Sequence, residues 1–161
     1  MGSERCIRDS DYIEEAIQRG AGVVVVCEDI KRDILEKVPV IKVHNTLTVV
    51  NRIAHHFYGY PADKMEILGV TGTNGKTTTT YFVREILNAA GLKNAVIGTI
   101  QYIIGDEVIP ARNTTPYAID LQKLLFRIYN KGIRNVIMEV SSHALKEDRT
   151  YGIFFSAVGL T

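Results

Sequence analysis

The residues most suited to chemistry form a glycine-rich segment near the middle of the chain, where residues 72 to 77 read Gly-Thr-Asn-Gly-Lys-Thr. Glycines allow a backbone to curl so that several N–H groups point at one anion, and the start of a helix adds partial positive charge. A lysine here can reach the terminal phosphates of a nucleotide, and the hydroxyl after it can ligate Mg²⁺. The segment therefore predicts a phosphate loop for ATP and Mg²⁺, formed by Gly72, Thr73, Asn74, Gly75, Lys76, Thr77 and Thr78.

This loop departs in one position from the common pattern G-x-x-x-x-G-K-[ST]. The pattern requires glycine at position 70, where the chain has Val70, and Gly69 lies one place too early. The G-x-x-G-K-T core is intact. A glycine-rich turn with an exposed lysine is the alternative interpretation. A predicted strand before the loop, a predicted helix after it and four consecutive threonines favour the phosphate loop.

A carboxylate, Glu139, follows the apolar segment at residues 133 to 138, which predicts a strand. Ligands of α/β sheets bind at the carboxyl ends of the strands, and a carboxylate there can hold the Mg²⁺ that bridges ATP phosphates. An exposed or helix-capping glutamate is the alternative, and the phosphate loop in the same sheet favours the metal. We therefore predict Lys76 and Glu139 as catalytic residues, and Thr77 and Glu139 as metal ligands.

Two further polar segments follow predicted strands. Residues 113 to 116 read Asn-Thr-Thr-Pro and predict a helix that Thr115 caps and Pro116 opens. Such a helix start can also bind a carboxylate or phosphate. Residues 141 to 143 read Ser-Ser-His. Adjacent residues seldom form a nucleophilic pair and no G-x-S-x-G elbow is present, so a helix cap is the plain alternative to a ligand contact.

The pattern of apolar residues predicts strands that alternate with helices, which is typical of a parallel sheet with helices on both faces. A hairpin is also predicted, with residues 100 to 104 and 108 to 111 flanking a turn. A domain boundary is predicted between residues 63 and 64, after a glycine and proline that end a helix. The strands are predicted at residues 22 to 27, 38 to 43, 65 to 70, 94 to 99, 133 to 138 and 153 to 158.

Helical segments are predicted to begin near residue 9 and to lie near residues 29 to 35, 46 to 57, 76 to 90 and 115 to 131. In the third of these, His55 and His56 are expected on the helix surface. The last three have apolar faces that should point to the core, comprising Leu47, Val50, Ile53, Ala54 and Phe57, then Phe82, Val83, Ile86, Leu87 and Ala90, and finally Leu121, Leu124, Leu125 and Ile128.

Composition and charge exclude several classes of partner. The net charge is +1 and no basic residues cluster, so we expect no nucleic-acid-binding surface. The longest apolar run, at residues 21 to 27, is too short to span a bilayer, and the first ten residues carry charges of both signs with no apolar core. We therefore expect a cytoplasmic protein without membrane insertion.

Four segments together make the chain resemble the Mur ligase family. They are Phe-Tyr-Gly-Tyr-Pro at residues 57 to 61, Gly-Val-Thr-Gly-Thr-Asn-Gly-Lys-Thr-Thr-Thr at 69 to 79, Asn-Thr-Thr-Pro at 113 to 116, and Glu-Val-Ser-Ser-His-Ala-Leu at 139 to 145. The resemblance covers nearly the whole chain. It implies an α/β fold with part of an N-terminal UDP-binding domain at residues 1 to 63, and the first part of a central ATP-binding domain with a parallel sheet at 64 to 161.

The resemblance also implies an activity in peptidoglycan synthesis. The block at residues 139 to 145 is similar to that of the member that adds a diamino acid, meso-diaminopimelate or L-lysine, to UDP-N-acetylmuramoyl-L-Ala-D-Glu with ATP, as a monomer. His143 is expected beside the metal site. Glu147 stands where the family has glutamine, and an ionised carboxylate only accepts hydrogen bonds. The substrate-binding residues implied are Asn113, Thr114, Thr115, Ser141, Glu147 and Arg149.

The resemblance further implies that the family's downstream histidine segment, modified lysine and C-terminal domain lie beyond residue 161. We therefore expect the chain alone to be inactive and poorly stable, with an uncovered strand at residues 153 to 158. Another phosphate-loop enzyme, such as a folate polyglutamate ligase or a kinase, is one alternative function. A non-catalytic nucleotide-binding remnant is the other.

Overall fold

The computed structural model describes residues 12 to 30, 34 and 36 to 161. The chain divides between Val49 and Val50 into two compact units. The domain boundary at residues 63 and 64 stays a prediction. No helix in the described part of the chain has the length and apolar character needed to cross a membrane.

Among the described residues before Thr46, the first unit includes a helix and two parallel strands. Helix α1 is Ile13–Gln18, strand β1 is Val24–Val26 and strand β2 is Val40–Lys42. Both strands lie within the predicted segments and are shorter than predicted. Residues 9 to 11, which include the predicted caps of α1, and most of the helix predicted near residues 29 to 35 lie outside the described residues.

The second unit is built on a six-stranded sheet in the order β6-β5-β4-β7-β3-β8. Strands β4, β7, β3 and β8 are parallel, and β5 and β6 form the predicted antiparallel hairpin at one edge. The predicted parallel sheet is thus confirmed. The strands are β3 (Glu66–Thr71), β4 (Asn94–Ile97), β5 (Gln101–Ile104), β6 (Glu107–Pro110), β7 (Asn135–Glu139) and β8 (Ala157–Leu160).

Strand β8 differs from the prediction. It begins four residues later than residue 153, and it lies at an end of the strand order, next to β3. Ile153 belongs to the buried core instead of the strand. The reason is that residues 150 to 152 form a turn whose backbone bond from Ile153 N to Thr150 O, 3.0 Å long, keeps Ile153 out of the ladder.

Four helices and one short 3₁₀ turn accompany the sheet. Helix α2 is Thr46–Phe57, α3 is Lys76–Ala89, α4 is Ala118–Asn130 and α5 is Ser142–Lys146, and the turn is Pro61–Lys64. Side chains that alternate along the strands enter two clusters, as the pleat of a sheet requires. One cluster includes residues of α4, and the other packs against α3, so helices cover both faces as predicted.

The predicted inward face is correct for α4 and wrong in part for α3. Leu121, Leu124, Leu125 and Ile128 are all buried. In α3, Phe82 is 67% exposed and Ile86 is 66% exposed. The apolar stripe of α3 is wider than the strip of helix that a sheet can cover, and the covered strip is centred on Thr80, Val83 and Leu87.

The predicted inward face of α2 is wrong. Its apolar residues Leu47, Val50, Ile53 and Phe57 are exposed, and only Ala54 of the predicted set is buried. The buried side chains beside Ala54 are polar, Asn51 and His55. Hydrophobic periodicity could not indicate this face, because backbone carbonyls rather than apolar side chains meet it.

Gly69 is required by packing rather than by the phosphate loop. It lies within β3, and a Cβ added there would come 2.8 Å from Cδ1 of Phe155. We expect Gly69→Ala to lower the free energy of unfolding by about 1–2 kcal/mol, because the ring must shift in a packed core. Urea unfolding measures this. Gly159→Ala is the matched control, since nothing lies within 4 Å of a Cβ there. Equal stability of the two variants would contradict the packing role of Gly69.

Candidate active site

The predicted phosphate loop joins the end of β3 to the start of α3. Gly72 has φ +139° and Gly75 has φ +82°, backbone conformations that side chains with a Cβ rarely adopt. A Cβ at Gly72 would also lie 1.9 Å from the carbonyl oxygen of Thr161, which covers the loop. Both glycines are therefore needed for the shape of this loop.

The loop has the polar groups that a phosphate requires. Within the described part of the chain, the backbone N–H groups of residues 73 to 75 donate to no backbone carbonyl. The Lys76 ammonium curls back over the loop and donates to the carbonyl oxygens of Gly72 at 2.7 Å and Thr73 at 3.2 Å. Unpartnered amides, a helix start and a neighbouring cation form an arrangement that binds anions.

Glu139 is the last residue of β7 and is only 1% exposed. Its Oε2 accepts hydrogen bonds from Thr77 Oγ1 at 3.1 Å and from Thr99 Oγ1 at 2.8 Å, and its Oε1 accepts from Thr99 N at 3.1 Å. The structure therefore brings the two predicted metal ligands together. The alternative of an exposed or helix-capping glutamate is excluded by this burial, and Ser141 is the cap of α5.

Two residues that the sequence did not single out complete this arrangement. Thr99, just after β4, donates to both carboxylate oxygens of Glu139, and its Oγ1 accepts a hydrogen bond from the Thr114 hydroxyl at 3.1 Å. A Cβ at Gly98 would lie 2.6 Å from Glu139 Oε1, so glycine makes room for the carboxylate. The sequence feature that could have identified Gly98 and Thr99 is their position just after β4, the strand that pairs with β7.

The ligand set formed by Thr77 and Glu139 fits Mg²⁺. Both offer hard oxygen atoms, and Mg²⁺ in nucleotide sites uses one or two carboxylates together with phosphate oxygens and water. No group of three or more His, Cys, Asp or Glu side chains with metal-ligand geometry occurs among the residues that the structure describes. Glu139 would therefore contribute the negative charge of the protein at a metal bound here.

The predicted substrate segment at residues 113 to 116 lies beside Glu139, but Thr115 is not a helix cap. Helix α4 begins at Ala118 with Tyr117 as its N-cap. Thr115 is buried, donates from Oγ1 to the Glu139 carbonyl at 2.8 Å and accepts from Ser141 N at 3.2 Å. Its hydroxyl thus joins two loops of the site, which sequence spacing could not reveal because the partners lie at the end of another strand and just after it.

Ser141 and His143 take simpler positions. Ser141 Oγ accepts a hydrogen bond from Ala144 N at 3.1 Å and caps α5, as the plain alternative predicted. His143 is not placed beside the metal residues. Its side chain is 73% exposed, and Nε2 lies 3.5 Å from Glu147 Oε1.

Arg149 is buried and held on several sides. It donates to Glu147 Oε2 from Nε at 2.9 Å and from Nη2 at 2.7 Å, and from Nη1 to the Thr115 carbonyl at 2.8 Å. Its guanidinium also stacks on Tyr117, with Cζ 3.9 Å from the ring centroid. A guanidinium has five N–H donors, so donors remain for a ligand. Glu147 is therefore a partner of Arg149, an arrangement that its place in the sequence did not predict.

Comparisons with known proteins show similarity to one family. A family model described as the Mur ligase middle domain matches residues 70 to 161. The chain is 43% identical over 151 residues to a UDP-N-acetylmuramoyl-L-alanyl-D-glutamate–2,6-diaminopimelate ligase of Aquifex aeolicus, covering 94% of this chain and 30% of that protein. It is 46% identical over 145 residues to the ligase of that name from Geobacter metallireducens, covering 90% of this chain and 28% of that protein.

A solved structure of a ligase of the same name is similar to this chain. The TM-score is 0.75 at 25% sequence identity, and the match covers 99% of this chain and 32% of that one. The chain spans less than a third of the length of the curated relatives it matches.

Proposed function

Since the chain belongs to the Mur ligase family, whose middle-domain model matches residues 70 to 161, we propose that it forms the nucleotide-binding part of an ATP-dependent amide ligase. The observation that carries the proposal is the contact between Thr77, at the start of α3, and the buried carboxylate of Glu139. A hydroxyl and a carboxylate side by side at a phosphate loop are the protein ligands that nucleotide-bound Mg²⁺ uses.

We assign the substrate from the relatives' names and from the polar residues around Glu139. Both bacterial relatives are named for ligating 2,6-diaminopimelate to UDP-N-acetylmuramoyl-L-alanyl-D-glutamate. The proposed acceptor is therefore this UDP-linked dipeptide, and the proposed amine is diaminopimelate rather than lysine. The carboxylates of the UDP-linked dipeptide suit the remaining donors of Arg149. The residues proposed to bind this dipeptide are Asn113, Thr114, Thr115, Ser141, Glu147 and Arg149.

The proposed reaction proceeds through phosphoryl transfer followed by attack of an amine. The γ-phosphoryl group of ATP passes to the D-Glu carboxylate, giving an acyl phosphate and ADP. The amine of diaminopimelate then attacks the acyl carbon, phosphate leaves, and an amide bond remains. Thr77 and Glu139 would hold Mg²⁺, which would supply positive charge to the phosphates.

The residues of this chain contribute position and charge to that reaction. Lys76 and the free amides of residues 73 to 75 bind the phosphates and stabilise charge that develops during transfer. Thr99 orients the Glu139 carboxylate through two hydrogen bonds. Because Thr99 also contacts Thr114, the nucleotide side and the proposed peptide side share one hydrogen-bonded chain. The proposed setting is the cytoplasm, with the ligase acting as a monomer.

The test is an assay of ADP and tripeptide formation by the protein that carries this sequence. We expect both products only when ATP, Mg²⁺, UDP-N-acetylmuramoyl-L-Ala-D-Glu and diaminopimelate are all present, with lysine a poor substitute. ADP release that ignores the UDP-linked dipeptide would contradict the proposal. Ligation of glutamate to a folate would identify the alternative ligase, and nucleotide binding without turnover would identify the non-catalytic alternative.

A further inference from the structure

Helix α2 buries polar side chains while it exposes most of its apolar ones. Asn51 is 3% exposed and His55 is 5% exposed, whereas Ile53 is 54% exposed and Phe57 is 78% exposed. Residues four apart lie on the same face of a helix, so Asn51 and His55 point in one direction. Burying an amide and an imidazole is unfavourable unless both are hydrogen-bonded.

Both side chains bind backbone carbonyls of one short segment. Asn51 Nδ2 donates to the Asp148 carbonyl at 2.9 Å, and His55 Nε2 lies 2.8 Å from the Tyr151 carbonyl oxygen. A carbonyl oxygen only accepts, so His55 carries its proton on Nε2. Gln122 Nε2 is placed 3.0 Å from the same nitrogen, and turning that amide so that its oxygen faces His55 removes the clash of two N–H groups and lets the oxygen share the single Nε2 proton.

The segment that these residues hold has a tight, unusual backbone. Asp148 has φ +52°, which is rare for a residue with a side chain, and Gly152 has φ +76°. Tyr151 N donates back to the Asp148 carbonyl at 3.0 Å. A Cβ at Gly152 would lie 3.0 Å from His55 Nε2, so the chain fits closely around the imidazole. Such a conformation persists when its surroundings fix it.

We propose that Asn51 and His55 are positioning residues that hold the Asp148–Tyr151 turn and thereby place Arg149 for its ligand. This inference rests on the proposed function for the identity of the ligand. Arg149 lies between the two clamped carbonyls, and its guanidinium must meet Glu147, the Thr115 carbonyl and the Tyr117 ring together. The contacts of Asn51 and His55 with the two carbonyls are called the clamp below. Without the clamp the turn relaxes, and the guanidinium no longer meets all three partners.

The clamp is tested with Asn51→Ala and His55→Ala, with His55→Gln as the conservative variant and His56→Gln as control. His56 is exposed and bonds only to the Tyr60 hydroxyl among the contacts described for its side-chain nitrogens. The first measurement is the ¹⁵N NMR signal of Arg149 Nε–H, which needs no ligand. We expect it to shift and exchange faster with solvent in both alanine variants, and to stay near its wild-type position in His55→Gln and His56→Gln.

The second measurement is calorimetry with UDP-N-acetylmuramoyl-L-Ala-D-Glu and, separately, with ATP and Mg²⁺. We expect the alanine variants to weaken the UDP-linked dipeptide about tenfold, the size of one lost hydrogen bond to a charged group, and to leave ATP affinity within about twofold. General unfolding would weaken both ligands alike and would broaden the thermal melt.

The outcomes separate the clamp from the proposed function. If wild-type protein does not bind the UDP-linked dipeptide, the proposed function fails while the Arg149 signal still decides the clamp. An unchanged Arg149 signal in folded alanine variants overturns the clamp. If those variants do not fold, NMR of the wild-type protein tests the clamp instead. A His55 Nε2 that carries no proton would overturn the clamp.

Discussion

We expect Lys76→Ala to weaken binding of ATP–Mg²⁺ by about a hundredfold or more, since charge-assisted contacts to phosphate are among the strongest in proteins. Lys76 is the cation whose ammonium lies against the loop, within 2.7 Å of the Gly72 carbonyl. When ATP binds, we expect the Lys76 ammonium to move from that carbonyl to a phosphate oxygen. This keeps the shape of the loop and pairs opposite charges. Calorimetric titration of ATP in the presence of Mg²⁺ measures the effect.

Lys93→Ala is the matched control for that experiment. Lys93 is an exposed lysine next to the amino end of β4, whereas the loop lies at the carboxyl end of the sheet. Lys93→Ala removes one positive charge, as Lys76→Ala does, and should leave ATP affinity nearly unchanged. Lys76→Arg keeps the charge on a larger, planar group and should bind in between. Equal affinity of wild type and Lys76→Ala would remove the phosphate-loop assignment.

Much of this site could be predicted because its residues follow strands of one parallel sheet. Thr71 ends β3, Glu139 ends β7 and Thr99 follows β4, and all three carboxyl ends meet at one edge. Local signals sufficed for the loop, because glycine conformation and helix start are determined within a few residues. Thr99 was missed because its role is visible only once β4 and β7 are known to pair.

The buried polar face of α2 could not be predicted by the same reasoning. Periodicity assigns the core-facing side of a helix from apolar residues, and this rule selects Leu47, Val50, Ile53 and Phe57. The structure instead turns Asn51 and His55 toward the carbonyls of residues 148 and 151. A contact between positions almost a hundred apart, made to backbone atoms, leaves no pattern in the amino-acid sequence.

The second large effect is expected at Glu139. We expect Glu139→Gln to raise the Mg²⁺ concentration needed for half-maximal ATP binding by about tenfold, since removing a charged ligand from a metal-bound nucleotide costs at least as much as one charge-assisted hydrogen bond. Glutamine has the same shape and can keep one acceptor toward Thr77 or Thr99. Affinity for the UDP-linked dipeptide should change less than about twofold, because the carboxylate is buried between threonines of the nucleotide side.

Two companion variants separate charge from geometry at Glu139. Thr99→Val keeps the carboxylate and removes one of its hydrogen bonds, so it should raise the Mg²⁺ requirement less than Glu139→Gln does. Glu66→Gln removes an exposed carboxylate at the other end of β3 and should have no effect. The measurement is ATP calorimetry at a series of Mg²⁺ concentrations. If Glu139→Gln kept the wild-type Mg²⁺ dependence, the carboxylate would serve only to tie Thr77 to Thr99, and the metal would need other ligands.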